Sequence, residues 1–155
     1  MPVPTPAAHP ALADVSAVGA AFASKLGEGC GIHGVTSCGN ILQPGKAAPG
    51  VACLLFDNPA GSFTCAFDED ADKAVGKLGG VESPQAILLG TTPGSEEAGI
   101  AAIGKKFPGV PVYGGTAADN DLDGSWSVLS NGGAKAAGYV KEAAVLRLLP
   151  LPRLS

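Results

Sequence analysis

Charged and aromatic residues are both scarce in this chain. Of its 155 residues, 15% are charged and 5% are aromatic, and the formal net charge is −4. Nucleic-acid-binding proteins carry a basic surface, so this charge balance argues against a nucleic-acid partner. The longest apolar runs, VACLLF and AILL, are far shorter than the roughly 20 residues of a membrane-spanning helix. We therefore expect a soluble protein that does not bind membranes and whose partner is a small molecule or a protein.

Targeting signals and closely paired metal ligands are also lacking. The opening MPVPTPAAHPALADVS has no basic segment followed by an apolar run and no arginines of a transit peptide, so we expect a cytoplasmic location. Structural zinc sites need closely paired ligands, whereas the cysteines here are separated by seven or more residues. We expect reduced thiols and no bound zinc. The residues considered are Cys30, Cys38, Cys53, Cys65, His9 and His33.

Only half of a calcium-binding loop is present. Asp119, Asp121, Asp123 and Gly124 match the first positions of an EF-hand loop, which also requires a glutamate at its twelfth position and a helix after it. That position is Ser130, and SWSVLS alternates like a strand. The stretch therefore predicts an acidic turn, and we expect neither a metal nor a cofactor.

Glycine, proline and small apolar residues are abundant instead. Apolar residues make up 46% of the chain, which has 23 glycines and 13 prolines. Disordered chains usually combine high charge with few apolar residues, so the glycines and prolines indicate many turns between short elements. The length suits one domain with its own core. We place this domain at residues 11–145, between a proline-rich segment at 1–10 and a tail at 146–155.

A repeated pattern links the two halves of the chain. IHGVTSCGN and VYGGTAADN have the same glycine, threonine and asparagine 80 positions apart. Each copy follows a helical pattern and precedes two strand patterns, which flank DNPAG in the first half and NGG in the second. The strand QAILLGTT leads the second unit, and the first unit has no equivalent. The matched pairs are Gly34/Gly114, Thr36/Thr116 and Asn40/Asn120.

This order of elements predicts an α/β fold, with a mixed sheet, packed helices and two related helix–strand–loop–hairpin units. Helices are expected near 11–26, 70–79 and 95–107, and VACLLF and AILL are expected as central strands. The missing first strand and the apolar AAVLRLLPL predict association with itself or with another chain through an open sheet edge. The predicted core is Leu12, Phe22, Leu54, Phe56, Ile87, Leu88, Ile103, Phe107 and Val112.

These blocks resemble the FIST sensory domain of bacterial signal-transduction proteins and eukaryotic F-box proteins. The resemblance spans about residues 10–145 and lies in HGVTSCGNIL, GVACLLFD and AILLGTTPGSEEAGIAAIGKKFPGVPVYGGTAADN. It implies a non-catalytic sensor of small, amino-acid-like ligands in signal transduction. The family usually continues into a C-terminal half, so we expect this chain to correspond to the N-terminal half.

The residue types of the two loops fit a small-ligand site at strand ends. Glycines let backbone N–H groups approach a carboxylate, and hydroxyl groups add further hydrogen bonds. Asp119 and Asn120 would meet an ammonium or amide group. The alternative is that these residues form tight turns and satisfy their own backbone. The candidate ligand-binding residues are Gly34, Thr36, Ser37, Asn40, Gly114, Gly115, Thr116, Asp119 and Asn120.

Two other functions stay open at this point. A protein-interaction or substrate-adaptor module, as in F-box FIST proteins, would show an exposed apolar patch. An enzyme using Cys38 and His33 would hold the two side chains within hydrogen-bonding distance. GIAAIGKK has P-loop spacing as far as Lys105, but Lys106 stands where a P-loop needs Ser or Thr, and the segment has a helical pattern. We therefore expect no catalytic residues.

Overall fold

The structure is a computed structural model of the chain. It describes residues 15–26, 30–44, 46–48, 50–56, 63–79, 83–119, 124–130, 133–136 and 143–148. Within these ranges the elements in chain order are α1 (Val15–Leu26), β1 (His33–Val35), β2 (Asn40–Gln43), β3 (Lys46–Ala48), β4 (Phe63–Asp68), α2 (Ala71–Gly76), β5 (Ala86–Thr91), α3 (Glu96–Lys106), β6 (Val112–Thr116), β7 (Ser127–Ser130), β8 (Gly133–Ala136) and β9 (Ala143–Leu148).

A mixed four-stranded sheet forms the centre of the fold. Its strand order is β4-β9-β5-β6. β9 runs antiparallel to both β4 and β5, whereas β5 and β6 are parallel. The predicted mixed α/β fold is therefore confirmed, and so is AILL as a central strand. β5 has a strand on each side and layers on both faces, which agrees with the continuous apolar run AILL in its first part.

Two helices cover one face of this sheet. Ile87 and Leu89 of β5 pack with Ile103 of α3, with Phe107 just after α3, and with Val75 of α2 in one buried cluster. α3 has acidic residues in its first turn and lysines in its last turn, an arrangement that the helix dipole favours. The helices expected near 70–79 and 95–107 are confirmed, as are Ile87, Ile103 and Phe107 as core residues.

A second, three-stranded sheet covers the opposite face. Its order is β1-β7-β8 and both pairings are antiparallel, so the hairpin predicted around NGG is confirmed. His33 and Val35 of β1 lie against Gly90 of β5, where an added Cβ would come within 2.5 Å of the imidazole Cε1. α1 packs on the far side of this sheet, with Gly19 against Leu129. These elements of the described chain form four layers, in the order helix, sheet, sheet and helices, and β2 and β3 form a separate two-stranded antiparallel sheet.

The prediction that VACLLF is a central strand is wrong. Residues 51–56 form no strand and are exposed along their whole length. Leu54 is 76% exposed and Phe56 is 44% exposed, so neither belongs to the core. The expected hairpin partner, β4, pairs over its whole length with β9 instead. An apolar run is buried only where other elements cover it. β4 pairs with the distant strand β9, so it is not the hairpin partner of residues 51–56.

That same pairing corrects the role predicted for AAVLRLLPL. We expected this segment to offer surface for association, but Ala143–Leu148 forms β9, between β4 and β5. The strand crosses position 146, where the sequence placed the start of a tail. Leu12 and residues 1–10 lie outside the described residues. Of the remaining predicted core residues, Phe22, Leu88 and Val112 are partly buried.

Candidate functional site

The two repeated loops meet in the fold. Thr36 follows β1 and Thr116 ends β6. The backbone N–H of Ala118 donates to the carbonyl oxygen of Thr36 at 3.0 Å, and that of Ala117 donates to the carbonyl oxygen of Thr91 at 2.7 Å. The carboxyl ends of β1, β5 and β6 are therefore joined by hydrogen bonds. Such strand ends are a common location for ligand sites in α/β folds.

A hydroxyl–carboxylate network lies where β5 and β6 end. Thr91 and Thr116 are directly paired in the parallel register, and their hydroxyl oxygens are 3.4 Å apart. The Thr116 hydroxyl donates to Oε1 of Glu96 at 2.7 Å. Because Thr116 has a single hydroxyl proton, its oxygen accepts from Thr91. We call these three residues the strand-end site.

Glu96 is held in its charged form at this position. It is the first residue of α3, and its side chain is partly exposed. Its own backbone N–H and the Thr116 hydroxyl both stabilise the carboxylate, which lowers the pKa of Glu96 below its ordinary value. The strand-end site therefore presents a negative charge at neutral pH.

The polar side chains of the first repeated loop form hydrogen bonds with neighbouring backbone groups. Oγ1 of Thr36 accepts the backbone N–H of Ser127 at 2.8 Å, which ties the end of β1 to β7. The Ser37 hydroxyl donates to the carbonyl oxygen of Gly39 at 2.9 Å, and the Asn40 side chain donates to that of Gly50 at 2.7 Å. These contacts are the turn chemistry that the sequence left as the alternative to ligand binding.

Asp119 braces the loop that precedes β7. It is buried, and its Oδ2 accepts the backbone N–H groups of Gly124 at 2.8 Å and Ser125 at 2.9 Å. Asn120 lies outside the described residues. The last four residues of SWSVLS form β7, so the predicted strand is confirmed there. Among the residues that the structure describes, no group of three or more His, Cys, Asp or Glu side chains is placed to hold a metal ion.

The glycines of the two loops differ in what surrounds them. Gly114 has φ +145°, and a Cβ there would overlap the carbonyl oxygen of Leu89, so β6 approaches β5 through a position that only glycine fits. A Cβ on Gly115 would meet nothing within 4 Å, so this position of β6 has open space where a side chain would stand. A Cβ on Gly34 would make only an ordinary van der Waals contact, because its nearest neighbour would be the Leu129 side chain at 3.6 Å.

Cys38 and His33 do not form a nucleophile–base pair. Cys38 is exposed, whereas His33 lies between the two sheets and burial lowers the pKa of its imidazole. The imidazole Nδ1 is buried without a hydrogen-bond partner. Within the described ranges no hydrogen bond joins the two side chains, so the geometry that would have favoured an enzyme is not formed.

Sequence reasoning missed Glu96 and Thr91. Both belong to TTPGSEE, which directly follows the buried strand β5 and leads into α3. Parallel neighbouring strands bring their carboxyl ends to one edge, so the residues after AILLG and the threonine of VYGGT had to meet. That topology was the available signal, and it required knowing that β5 and β6 are adjacent.

Fold and site together define a mixed α/β domain with a polar, negatively charged site at its strand ends. The sequence profile of the FIST N domain family matches residues 7–149. The chain therefore belongs to the FIST N domain family, a family of signal-transduction sensory domains, and the resemblance noted in the sequence is confirmed. Searches of curated proteins and of solved structures found no match. No helix in the described part of the chain is long and apolar enough to cross a membrane.

Proposed function

We propose that this domain is a non-catalytic sensor that binds a small amino-acid-like ligand in the cytoplasm at the strand-end site. The observation that carries the proposal is the meeting of the two repeated loops, through the hydrogen bonds of Ala117 and Ala118 to Thr91 and Thr36. Loops that meet at the carboxyl edge of a sheet bring polar groups from distant parts of the chain to one place.

The second loop provides the better ligand-binding groups. Thr116 belongs to a side-chain network with Thr91 and Glu96, and a Cβ on the preceding residue, Gly115, would meet nothing within 4 Å. The corresponding groups of the first loop, Ser37 and Asn40, already donate to nearby carbonyl groups. We therefore place the ligand at Gly114–Thr116 and assign the first loop the task of holding β1 to β7.

A thermal-shift screen of the twenty standard amino acids and small carboxylates tests this proposal. A ligand present at 100 times its Kd adds about 2.7 kcal/mol to the free energy of unfolding, which raises the melting temperature measurably. We expect at least one amino acid to do so, and Thr116→Val to remove the effect. Ser24→Ala is the control, because Ser24 is exposed on α1 and bonds only within its own helix. A complete lack of stabilisation, or an unchanged response in Thr116→Val, contradicts the proposal.

A protein-interaction or adaptor role is the second candidate. The exposed segment 51–56 favours it, since Val51 is 54% and Leu55 is 64% exposed next to Leu54 and Phe56. Contiguous exposed apolar residues are typical of interaction surfaces. If the segment binds a second copy of the chain, sedimentation at micromolar concentration will show association that the double substitution Leu54→Ser and Leu55→Ser abolishes.

The matched control for this experiment is Ile100→Ser. Ile100 is exposed on α3, away from segment 51–56 in sequence, so its substitution should leave association unchanged. A wild-type protein that sediments as a monomer and binds no hydrophobic dye would contradict self-association through segment 51–56.

A further inference from the structure

Two of the four cysteines lie close together, although they belong to different parts of the fold. Cys30 is at a bend of the chain just before β1, and Cys65 is in β4. Both thiols are partly buried. The other two cysteines, Cys38 and Cys53, are exposed. A bond between Cys30 and Cys65 would therefore join the segment that enters the second sheet to a strand of the central sheet.

The side chain of Cys65 faces the second sheet. Successive residues of a strand point to opposite faces. Ala66 belongs to the cluster on the helix side of the central sheet, whereas Phe67 packs against the cluster that contains Val128 of β7. Cys65 shares the face of Phe67, so its thiol lies on the side where β1 and the segment before it pass.

The residue after Cys30 is in direct contact with this thiol. A Cβ on Gly31 would lie 2.8 Å from Sγ of Cys65 and 3.8 Å from its Cβ, so a side chain at position 31 would have to displace the sulfur. The thiol of Cys30 donates to the carbonyl oxygen of Gly31 at 3.7 Å. Both sulfur atoms therefore lie against Gly31.

The two thiols are also close enough to interact electrostatically. Burial, and after it the charge of a neighbouring Cys30 thiolate, raise the pKa of Cys65 to about 11. Cys65 therefore keeps its proton at neutral pH. Because the thiolate is the form that reacts with oxidants, oxidation of the pair begins at Cys30.

We propose that Cys30 and Cys65 form a redox modification site, in which a peroxide converts the two thiols into a reversible disulfide bond. In a reducing compartment such bonds are transient and report the presence of oxidants. This proposal goes beyond ligand sensing and does not depend on the strand-end site.

The reaction needs only the two thiols and hydrogen peroxide. The Cys30 sulfur attacks one peroxide oxygen and becomes a sulfenic acid, the O–O bond breaks, and the other oxygen leaves as water with the proton that Cys30 lost. The Cys65 sulfur then attacks the sulfenic sulfur, the S–O bond breaks, and the oxygen leaves as a second water with the Cys65 proton. The two sulfurs lose two electrons in total, and these reduce the peroxide.

The double variant Cys38→Ser and Cys53→Ser tests the proposal, because it leaves only the two proposed thiols and replaces only exposed side chains. Treatment of the folded variant with hydrogen peroxide should lower its intact mass by the mass of two hydrogen atoms. The oxidised protein should unfold at a temperature about 5 °C or more above that of the reduced protein, since the bond restricts the unfolded chain. Dithiothreitol should reverse both changes.

Digestion locates the bond. Trypsin cleaves after Lys25, Lys46 and Lys73, so Cys30 and Cys65 fall in different peptides. Without reductant, we expect these two peptides to stay joined after oxidation. The same joined peptides should form in the wild-type protein, which provides the readout if the double variant does not fold.

The matched control is Cys30→Ser in the same double variant. It keeps Cys65 and should show neither the loss of mass nor the higher melting temperature. Circular dichroism before oxidation shows that each variant is folded.

Three results would overturn the proposal. Peroxide could add oxygen to separate cysteines without joining the peptides. The disulfide could join two chains, or in the wild-type protein it could contain Cys38 or Cys53 in place of the proposed pair. Finally, both thiols of the double variant could remain reactive after peroxide treatment, with the mass unchanged.

Discussion

The two repeated loops have matching glycines and threonines but lie in different surroundings. In the first, Thr36 faces β7 and accepts the backbone N–H of Ser127. In the second, Thr116 faces α3 and donates to Glu96. The threonine thus holds two strands together in the first copy, whereas in the second copy it belongs to a charged site. The neighbouring element, more than the loop sequence, decides what a repeated residue does.

The two apolar runs show that burial, too, depends on the neighbouring elements. AILL lies in β5 between β9 and β6, and Ile87 is fully buried. VACLLF is as apolar in sequence, yet residues 51–56 are exposed and form no strand. Hydrophobic burial stabilises a segment only when other elements supply the opposing surface, and the first unit does not supply it for VACLLF.

Among the matched pairs, substitution of the glycines should give the largest difference in the free energy of unfolding. Gly114→Ala would force a Cβ into the Leu89 carbonyl group at a positive φ, so we expect a loss of about 4 kcal/mol or more in the free energy of unfolding. Gly34→Ala meets only the Leu129 side chain at an ordinary distance and should cost far less. Urea denaturation followed by circular dichroism measures both. Equal losses would show that the copies have the same packing.

A pair of phenylalanines compares the buried and exposed regions. Phe107→Ala should destabilise the domain by about 3–5 kcal/mol, because it leaves a cavity in the core where Phe107 is 4% exposed. Phe56→Ala should cost less, about 0.5–1.5 kcal/mol, because Phe56 is 44% exposed and its ring contacts that of Phe63. The midpoint of urea unfolding distinguishes them. A large loss in Phe56→Ala would mean that segment 51–56 is packed in solution.

Of the matched threonine variants, Thr36→Val should lose more of the free energy of unfolding, whereas Thr116→Val is the one expected to lose ligand binding. Thr36→Val leaves the Ser127 N–H without its hydroxyl acceptor next to a buried strand, which costs about 1–3 kcal/mol. Thr116→Val should cost less, because the partly exposed Glu96 turns to water. Thermal unfolding of the two variants without ligand provides the comparison, and a larger loss for Thr116→Val would reverse these assignments.

Protonation of His33 should have a smaller effect on the free energy of unfolding. His33 occupies the position in the first copy that Tyr113 has in the second. Burial lowers the pKa of His33 from 6.5, so the folded protein keeps the imidazole neutral while the unfolded chain binds a proton. The free energy of unfolding should therefore decrease as the pH falls from about 7 to about 5. Denaturation at several pH values should show this slope in the wild type and a weaker slope in His33→Gln.

Exposed Tyr113 provides the control for that experiment. Tyr113→Phe should keep the wild-type slope between pH 7 and pH 5. The carboxylates with lowered pKa values, Asp68 and Glu96, lose their stabilising charge only at lower pH, below about 4.5. A slope that persists unchanged in His33→Gln would assign it to another group.

Local patterns in the sequence predicted the elements whose neighbours are close along the chain. Helices α2 and α3, strand β5 and the β7–β8 hairpin follow from periodicity and turn residues. The pairing of β9 with both β4 and β5 joins segments far apart in sequence, and no local pattern encodes it. The error at VACLLF and the interpretation of AAVLRLLPL as free surface both come from this one long-range pairing.

The candidate site was predictable to a similar extent. Thr116 and its glycines follow from the repeat, because such residues recur where strands end. Glu96 could not be assigned from the repeat, since the first copy has no counterpart of the β5–α3 connection. Its role depends on the adjacency of β5 and β6, which places the start of α3 over the end of a neighbouring strand.

The most direct test of the central claim is an NMR titration of the ¹⁵N-labelled domain with the amino acid that stabilises it most. The account predicts concentration-dependent changes in the backbone amide signals of Gly94, Gly115, Thr116 and Glu96, with the α2 signals unchanged. Changes confined to Ser37–Asn40 would place the ligand at the first loop. Changes confined to residues 51–56, or no changes at all, would contradict a ligand site at the ends of β5 and β6.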